Sequence, residues 1–490
     1  MSDLNRRQLL KMGAFVATIT PTLNGIANAG EVVATTTSPE SHAAKGVTHT
    51  LARYIVNARY EDLPANVRKE GARTLLNWVG VAVGGSGHET IQRAIAALNP
   101  FSGPRQANLF GRRERFDIMN AAFINGVSSH IFDYDDTHLK TIIHPGGPVL
   151  AALIALSQNR LISGKDFLNA MILGIETELR IGNSVYPNHY DTGWHITGTA
   201  GVFGAAAAAG KVLGLNEQQM VWALGLAASQ PVGLRESFGS MNKSFNPGRA
   251  ASNGIFGALL AQQNFTSSEG MIEAKRGWAN TISTKQDYSQ ITDGLGTHYE
   301  STLNTYKPFA CGIVIHPAID AAIQLRNQYQ LTPEQISAIQ IRVHPLVIEL
   351  TGKKTPQIGL EGKFSVYHSI AAAITDGAAG EKQYSDAMVK NPRVIALRDK
   401  VTAVIDSNVK PEQVDMTITT TDGRTLHIFI EHAIGSVEKP MTDAQLEAKF
   451  IGLTEDILPR ARIQKLMQLC WTVDQLQSAA IIPQTGSFSS

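Results

Sequence analysis

Cysteine is scarce in this sequence: only Cys311 and Cys470 occur among its 490 residues. Two cysteines cannot build the disulfide framework on which small secreted domains depend, and no C-x-x-C pair is present to begin a zinc site. Stability must therefore come from hydrophobic burial. A chain of this length with 43% hydrophobic residues can form two or more sizeable cores.

An excess of charge of either sign is also missing. Lysine and arginine total 43, aspartate and glutamate total 42, and the formal net charge is +1. A protein that holds nucleic acid or an anionic membrane through its overall field needs a basic excess. The composition therefore argues against both kinds of partner.

Common nucleotide-binding and hydrolase motifs are absent as well. The segment from Gly204 to Lys211 is similar to a P-loop, but five residues separate Gly204 from Gly210 where four are needed, and Val212 replaces the required Ser or Thr. No G-x-G-x-x-G follows a predicted strand, and no G-x-S-x-G is present. We interpret these glycines as helix-packing residues.

Residues 1–29 are typical of a twin-arginine signal peptide. Arg6-Arg7 precede a modestly apolar stretch, and Ala27-Asn28-Ala29 forms an A-x-A cleavage pattern. We predict cleavage after Ala29, a linker over residues 30–45 and a periplasmic mature protein. The apolar stretch is too short for a stable membrane span.

The remaining sequence predicts a mostly α protein with an α+β part. Over residues 46–298, apolar residues recur at three- and four-residue spacing, which predicts a large all-helical domain. Over residues 299–436, an alternating segment at 336–343 and a hairpin with its turn at Asp422-Gly423 predict a smaller α+β domain. Residues 437–480 predict helices that return to the first domain, so the α+β domain is an insertion.

Three aspartates and three histidines lie between residues 130 and 144, between two apolar segments. Three interpretations are open. A metal could bind there, although the spacing matches no standard site, or the acids could cap the next helix. In the catalytic interpretation, a helix ending near Phe132 places His130 and Asp133 on one face, and His144 adds a second acid/base group. The candidate metal ligands are Asp135, Asp136, His138 and His144.

Two later segments could complete such a site. His195 stands among glycines beside Trp194, just before a helix of small residues. Lys243 and Arg249 flank a Pro-Gly break near another helix start, where free N–H groups and the helix dipole favour a carboxylate. The alternatives are a structural histidine and a solvated basic turn.

Together these motifs resemble the MmgE/PrpD family, whose members include 2-methylcitrate dehydratase, cis-aconitate decarboxylase and iminodisuccinate epimerase. The resemblance covers residues 46–475. It implies a large helical domain with a smaller α+β lid domain, usually as a homodimer, and enzymes that need no metal or organic cofactor. The motifs that carry it, in family order, are the His130–His138 segment with His144-Pro-Gly-Gly, Gly-Trp-His195-Ile-Thr-Gly, Lys243-Ser-Phe-Asn-Pro-Gly-Arg249, and Lys307-Pro-Phe-Ala-Cys311 with His316-Pro317.

Carried onto this sequence, the resemblance implies a catalytic set and a substrate-binding set. The decarboxylase branch has a histidine where Cys311 stands, and a family tyrosine matches the segment around Tyr367 only loosely, near Ser365 and His368. Both departures argue against decarboxylase activity. The implied catalytic residues are Asp133, Thr137, His144 and His195, and the implied substrate-binding residues are Lys243, Lys307 and His316.

The expected function is a cofactor-independent lyase that abstracts a proton next to a carboxylate of a small di- or tricarboxylate. A hydro-lyase similar to 2-methylcitrate dehydratase ranks first. An epimerase similar to iminodisuccinate epimerase and an enzyme similar to cis-aconitate decarboxylase are alternatives. An alternative of another class is an exported protein that binds polycarboxylates without converting them.

The signal-peptide assignment gives a first prediction. Replacing Arg6 and Arg7 by lysine keeps the charge but removes the arginine pair, so the full-length precursor should accumulate in the cytoplasm. Cell fractionation followed by immunoblotting measures this, with the unaltered chain as control. Normal appearance of a shortened protein in the periplasm would contradict the assignment.

Overall fold

The computed structural model describes residues 46–488. The predicted signal peptide and linker lie outside these residues. Within them the protein is mostly helical with small sheets, as the sequence predicted. No helix in this part of the chain is both long enough and apolar enough to cross a membrane.

Twelve helices occupy the first part of the described chain. Their starts follow local capping chemistry: Ser163 accepts a hydrogen bond from the Asp166 N–H at the start of one helix, and Asn216 and Gln219 form a reciprocal capping box at another. The helices are α1 Val47–Asn57, α2 Ala65–Gly85, α3 Glu89–Leu98, α4 Ile118–His130, α5 Gly146–Ser157, α6 Gly164–Val185, α7 Asn188–Asp191, α8 Ile196–Val212, α9 Glu217–Ala228, α10 Asn242–Gln262, α11 Trp278–Ile282 and α12 Ser289–Thr292.

Small residues let the central helices approach closely. A Cβ on Gly174 of α6 would lie 2.7 Å from the carbonyl oxygen of Gly204 in α8, and a Cβ on Gly204 would lie 2.8 Å from that of Gly174. A Cβ on Gly254 of α10 would lie 2.4 Å from the Cβ of Ala205. These backbones are nearer than side chains allow, so α8 is buried between α6 and α10.

The second part of the described chain contains a four-stranded sheet in the order β6-β5-β7-β8. Only the β5–β6 pair is parallel. The predicted strand at 336–343 and the hairpin across Asp422-Gly423 are confirmed, whereas β6 was not predicted. The elements are α13 His316–Tyr329, α14 Pro345–Thr351, α15 Gly359–Gly362, α16 Val366–Asp376, α17 Asp386–Val389, α18 Pro392–Arg398, β5 Ile336–Val343, β6 Val401–Ile405, β7 Val414–Thr420 and β8 Thr425–Ile430.

The last helices pack against the first part. Phe450 of α19 fills the space over Gly80 of α2, where a Cβ would lie 2.9 Å from the phenyl ring. The buried apolar residues accordingly form two clusters, one that joins α1–α12 to the last helices and one around the sheet. The sequence-based domain boundaries stay predictions. These helices are α19 Asp443–Thr454, α20 Arg460–Trp471 and α21 Ile481–Thr485.

Two short ladders complete the fold, and one of them positions the polar cluster. Strands β1 Ala107–Asn108 and β2 Arg115–Phe116 pair before α4. Strands β3 Asp136–His138 and β4 Asn304–Tyr306 pair antiparallel, with Asp136 opposite Tyr306. This second pairing brings the aspartate–histidine cluster beside the segment that begins at Lys307.

The close contact between α8 and α10 can be tested with a matched pair of glycine substitutions. Gly254→Ala should lower the free energy of unfolding by about 1–3 kcal/mol, because its Cβ has no room beside Ala205. Gly452→Ala, on an exposed part of α19 with nothing within 4 Å of a Cβ, should raise it by about 0.5–1 kcal/mol. Denaturant unfolding measures both, and equal effects would contradict the packing.

Candidate active site

Asp133 lies in a tight turn directly after α4. Its backbone has φ 49°, in the left-handed region that non-glycine residues rarely adopt and that aspartate tolerates better than most. The N–H of Asp133 donates to the carbonyl oxygen of His130 at 2.9 Å. An unusual backbone conformation of this kind persists only where the surroundings fix it.

Three buried lysines fix this turn, and we call them the lysine clamp: Lys307, Lys363 and Lys449. Their ammonium groups donate to three successive carbonyl oxygens, with Lys363 bound to Phe132 at 2.9 Å, Lys307 to Asp133 at 3.0 Å and Lys449 to Tyr134 at 2.6 Å. Each lysine also donates to the segment 307–311, with Lys363 bound to Ala310 O at 2.9 Å, Lys307 to Cys311 O at 3.0 Å and Lys449 to Lys307 O at 2.9 Å. The clamp therefore ties the turn of Asp133 to the chain around Lys307.

The carboxylate of Asp133 pairs with two buried ammonium groups. Its Oδ1 accepts from Lys243 Nζ at 2.9 Å and from Lys307 Nζ at 2.8 Å. Burial alone would raise the pKa of Asp133, but Lys243 and Lys307 outweigh it and hold the pKa well below its ordinary value. Asp133 is therefore a fixed anion.

Asp135 hydrogen-bonds one histidine and lies beside a second, whose Nδ1–H donates to the carbonyl oxygen of Asp136. Oδ2 lies 2.6 Å from Nδ1 of His130, and Oδ1 lies 3.2 Å from Nδ1 of His144. Each Nδ1 therefore carries the hydrogen, and each Nε2 presents a lone pair. The Nε2 of His130 accepts a hydrogen bond from Lys243 Nζ at 2.7 Å. Burial lowers the pKa of His130 to about 4.

His144 keeps its Nε2 available. Its Nδ1 lies 2.9 Å from the carbonyl oxygen of Asp136 and 3.2 Å from Oγ1 of Thr137, which further fixes the ring. Nε2 lies 3.9 Å from Oδ1 of Asp133. Burial lowers the pKa of His144 despite the nearby Asp135, so the ring is a neutral base.

His195 presents the opposite polarity. It stands immediately before α8, and its Nδ1 accepts a hydrogen bond from Nδ2 of Asn246 at 2.8 Å. The ring hydrogen is therefore on Nε2. Burial first, and then the charge of Lys243, hold the pKa of His195 well below its ordinary value. His144 and His195 thus offer a hydrogen-bond acceptor and a donor, respectively.

These groups surround one small cavity of about 30 Å³. That volume holds no more than one or two water molecules, so a polycarboxylate enters only if part of the wall moves. Asp133, His144, His195 and Lys243 come from the helical part, whereas Lys307 and the apolar residues after it come from the part that follows. The lining consists of Asp133, Ile142, His144, Tyr190, His195, Phe238, Lys243, Lys307, Gly312, Ile313, Val314, Leu350, Thr351 and Phe364.

The structure places five of the seven predicted site residues in this lining, and Thr137 and His316 lie elsewhere. Thr137 is buried behind His144 and contacts it without reaching the cavity. His316 is buried at the start of α13 and lines a neighbouring cavity instead. The residues that meet are Asp133, His144, His195, Lys243 and Lys307.

The metal ligands considered from the sequence do not assemble. Asp136 accepts from the Gly146 N–H at 2.9 Å at the start of α5, as the helix-capping interpretation expects, and burial raises its pKa to about 7. His138 contacts Thr141 at 2.8 Å. Ligand-type atoms of His130, Asp135 and His144 do lie within 4.8 Å of one another. However, the Asp135 carboxylate already contacts the Nδ1 atoms of both histidines.

Sequence reasoning assigned no catalytic part to Asp135 or Asn246 and missed Lys363 and Lys449. The two-residue spacing between Asp133 and Asp135 was a usable signal for Asp135, because it places Asp135 next to two candidate histidines. Lys363 and Lys449 gave no local signal. They lie 231 and 315 residues from the carbonyl groups that they bind in the turn.

Two family domains match this chain. The MmgE/PrpD N-terminal domain matches residues 49–291, and the MmgE/PrpD C-terminal domain matches residues 309–473. Cis-aconitate decarboxylase of Aspergillus terreus is 26% identical over 468 residues, which cover 90% of this chain and 95% of that protein. The Homo sapiens cis-aconitate decarboxylase is 24% identical over 89% of this chain and 94% of its own. The 2-methylcitrate dehydratase of Cupriavidus necator is 24% identical over 68% of this chain and 74% of its own.

Removing one lysine of the clamp should destabilise the protein. Lys449→Met keeps the length of the side chain but leaves the oxygens of Asn77, Tyr134 and Lys307 without their donor. Each buried acceptor left unpaired costs about 1–3 kcal/mol, so the free energy of unfolding should fall by several kcal/mol. Lys465→Met, on an exposed part of α20, is the control and should change it by about 0.5 kcal/mol or less. Equal effects in urea unfolding would contradict the clamp.

Proposed function

The chain belongs to the MmgE/PrpD family, and from that premise we propose that it is a lyase that removes water from a small tricarboxylate. We further propose that it needs no metal or organic cofactor, because acid, base and anion-binding groups all come from its own side chains. The observation that carries the proposal is the fixed orientation of His144. The carbonyl oxygen of Asp136 accepts the Nδ1–H of the ring and the Asp135 carboxylate lies 3.2 Å from the same nitrogen, so that Nε2 faces the cavity with its lone pair.

Substrate binding falls chiefly to Lys243. It uses two N–H groups on Asp133 and His130, which leaves a third for the hydroxyl group of the substrate. Lys307 donates all three of its N–H groups to protein oxygens, namely Asp133 O, Asp133 Oδ1 and Cys311 O. It therefore acts on a substrate only through its charge and position. The Nε2–H of His195 supplies a further donor.

The reaction then follows from the polarity of these groups. His144 Nε2 takes a proton from the carbon next to a substrate carboxylate, and Asp135 stabilises the imidazolium that forms. The positive charge of Lys243 stabilises the enediolate-like carbanion. The electron pair forms the carbon–carbon double bond as the carbon–oxygen bond of the hydroxyl breaks. Lys243 protonates that hydroxyl, since burial lowers the pKa of its ammonium group and makes it a better acid. The products are an unsaturated tricarboxylate and water.

A second candidate is a decarboxylase. Relatives named cis-aconitate decarboxylase align over about nine-tenths of this chain, which is more than the dehydratases do. Decarboxylation needs an acid that protonates the carbanion. The family resemblance places a histidine of that branch at Cys311, and burial raises the pKa of the Cys311 thiol to about 12. A neutral base at His144 and a thiol of such weak acidity favour dehydration.

We also propose that the mature protein works in the periplasm and as a homodimer. The twin-arginine motif with its A-x-A pattern supports the location, and the family resemblance supports the dimer. Fractionation of cells and light scattering of the purified protein test these two proposals independently.

The reaction can be tested by proton NMR in deuterated water with chelator-treated protein. The substrates are citrate, 2-methylcitrate, cis-aconitate, malate and iminodisuccinate. A new vinyl signal from a hydroxy acid supports dehydration, whereas carbon dioxide release from cis-aconitate supports the second candidate. Exchange of an α-proton without a new product points to an epimerase. Binding without any conversion would overturn the enzyme assignment.

Replacing the base should slow the reaction without unfolding the protein. His144→Asn should lower kcat by about 10²–10⁴-fold, because proton abstraction loses its acceptor while the amide still accepts or donates hydrogen bonds. Exchange of the α-proton into solvent should be lost to the same extent. His298→Asn, at an exposed position outside the cavity lining, is the control and should leave kcat unchanged. Full activity of His144→Asn would refute the assignment of the base.

A further inference from the structure

We propose that Tyr190 is a substrate-binding residue, whose phenolic O–H donates a hydrogen bond to a carboxylate of the substrate, and that Arg235 holds its ring in place. The proposal rests on the proposed function, because it adds a residue to the same site. Tyr190 belongs to the short helix α7 and lines the catalytic cavity.

The cavity offers few free donors to the carboxylates of a substrate. In the proposed reaction the third N–H of Lys243 serves the substrate hydroxyl, and Lys307 donates all of its N–H groups to protein oxygens. The hydroxyl of Thr351 in the same lining donates to Val347 O at 2.6 Å. The Nε2–H of His195 cannot by itself replace the water that two or three carboxylates lose. A further donor is therefore required.

The hydroxyl of Tyr190 is such a donor. Tyr190 is only 2% exposed, yet its hydroxyl makes no hydrogen bond to any residue between 46 and 488. A buried phenol usually finds a partner, because an unpaired polar group loses its hydration without compensation. A carboxylate in the cavity supplies the acceptor that the protein does not.

The phenol of Tyr190 is a neutral donor. Burial raises the pKa of Tyr190, and the charge of Arg235 offsets only part of this rise. The negative charge of Asp133 raises the pKa further. The hydroxyl therefore keeps its proton, and a protonated phenol can donate to a carboxylate that a phenolate would repel.

Arg235 fixes the ring without lining the cavity. Its guanidinium carbon lies 4.3 Å from the centroid of the Tyr190 ring, and its Nη1 donates to Tyr190 O at 3.0 Å. Its Nη2 donates to Oε1 of Glu349 at 2.5 Å, and its backbone N–H donates to Gly193 O at 2.8 Å. These contacts restrict the guanidinium group, so Arg235 is a positioning residue for Tyr190.

The residue before Tyr190 anchors α7 to the helix that follows His195. His189 is fully buried, and its Nε2 lies 2.7 Å from Oγ1 of Thr199 in α8. Its ring also stacks on Trp194, with the centroids 5.8 Å apart. Tyr190 is thereby held in a fixed position relative to His195. A binding group that is already ordered loses little entropy when a ligand arrives.

Calorimetry with tricarballylate and the full chain tests the contact. This tricarboxylate has no hydroxyl group and cannot lose water. Tyr190→Phe removes only the hydroxyl and should raise the dissociation constant about tenfold to a hundredfold, as expected for a hydrogen bond to a charged group. Tyr186→Phe, whose residue lies one turn away and outside the cavity lining, is the matched control and should leave the constant unchanged.

The contrary result is equally definite. If the hydroxyl of Tyr190 only fills space, Tyr190→Phe should bind tricarballylate as tightly as the unaltered chain does. It should also melt at a higher temperature, because a buried unpaired hydroxyl has been removed. Equal dissociation constants would overturn the proposal.

A double-mutant comparison tests the part of Arg235. Arg235→Gln should weaken the binding of tricarballylate in the unaltered background. In the Tyr190→Phe background it should have no further effect, because Arg235 acts through the hydroxyl that is then missing. A purely structural loss would weaken binding equally in both backgrounds, and that result would overturn the positioning role.

Failure of the proposed function gives a different result. If tricarballylate binds but no hydroxy acid is converted, the dehydratase assignment fails, and the comparison of Tyr190→Phe with Tyr186→Phe still decides the contact. If the unaltered chain does not bind tricarballylate, the proposal for Tyr190 is overturned.

Discussion

The placement of one carboxylate between two ammonium groups is the constraint on which the site depends. Burying Asp133, Lys243 or Lys307 alone would be prohibitively unfavourable, because an isolated ion loses its hydration without compensation. Together the three charges satisfy one another at 2.8–2.9 Å. This pairing allows charged groups to remain in a cavity that has room for no more than one or two water molecules, where their fields act on a substrate with little screening.

The same arrangement determines what each histidine can do. Asp135 and Asn246 exchange no proton with the substrate, yet together with the carbonyl oxygen of Asp136 they fix which nitrogen of His144 and His195 carries the hydrogen. Two identical side chains thereby become an acceptor and a donor. The fold alone does not determine this polarity, and relatives with the same domains are named both dehydratases and decarboxylases.

Much of the fold was predictable because it depends on local patterns. The helical periodicity, the hairpin at Asp422-Gly423 and the concentration of acids and imidazoles before His144 are all visible in short stretches of sequence. The active-site geometry was only partly predictable. Thr137 and His316 lie next to the cavity without lining it. In the fold, strand β6 was not predictable from local patterns, because it pairs in parallel with a strand that is distant in sequence. Lys363 and Lys449 are ordinary lysines in sequence, and only the tertiary structure buries them beside the turn.

The lysine clamp has a consequence for the order of assembly. It joins the turn at residues 132–134 to partners at 307, 363 and 449, so contacts of very long sequence separation must all form before Asp133 is fixed. Closing such long loops is entropically costly and kinetically slow. During synthesis, a chain that has not yet released α19 lacks one of the three donors. The helical part can therefore collapse early, whereas chemical competence arrives as one of the last events in the maturation of the polypeptide.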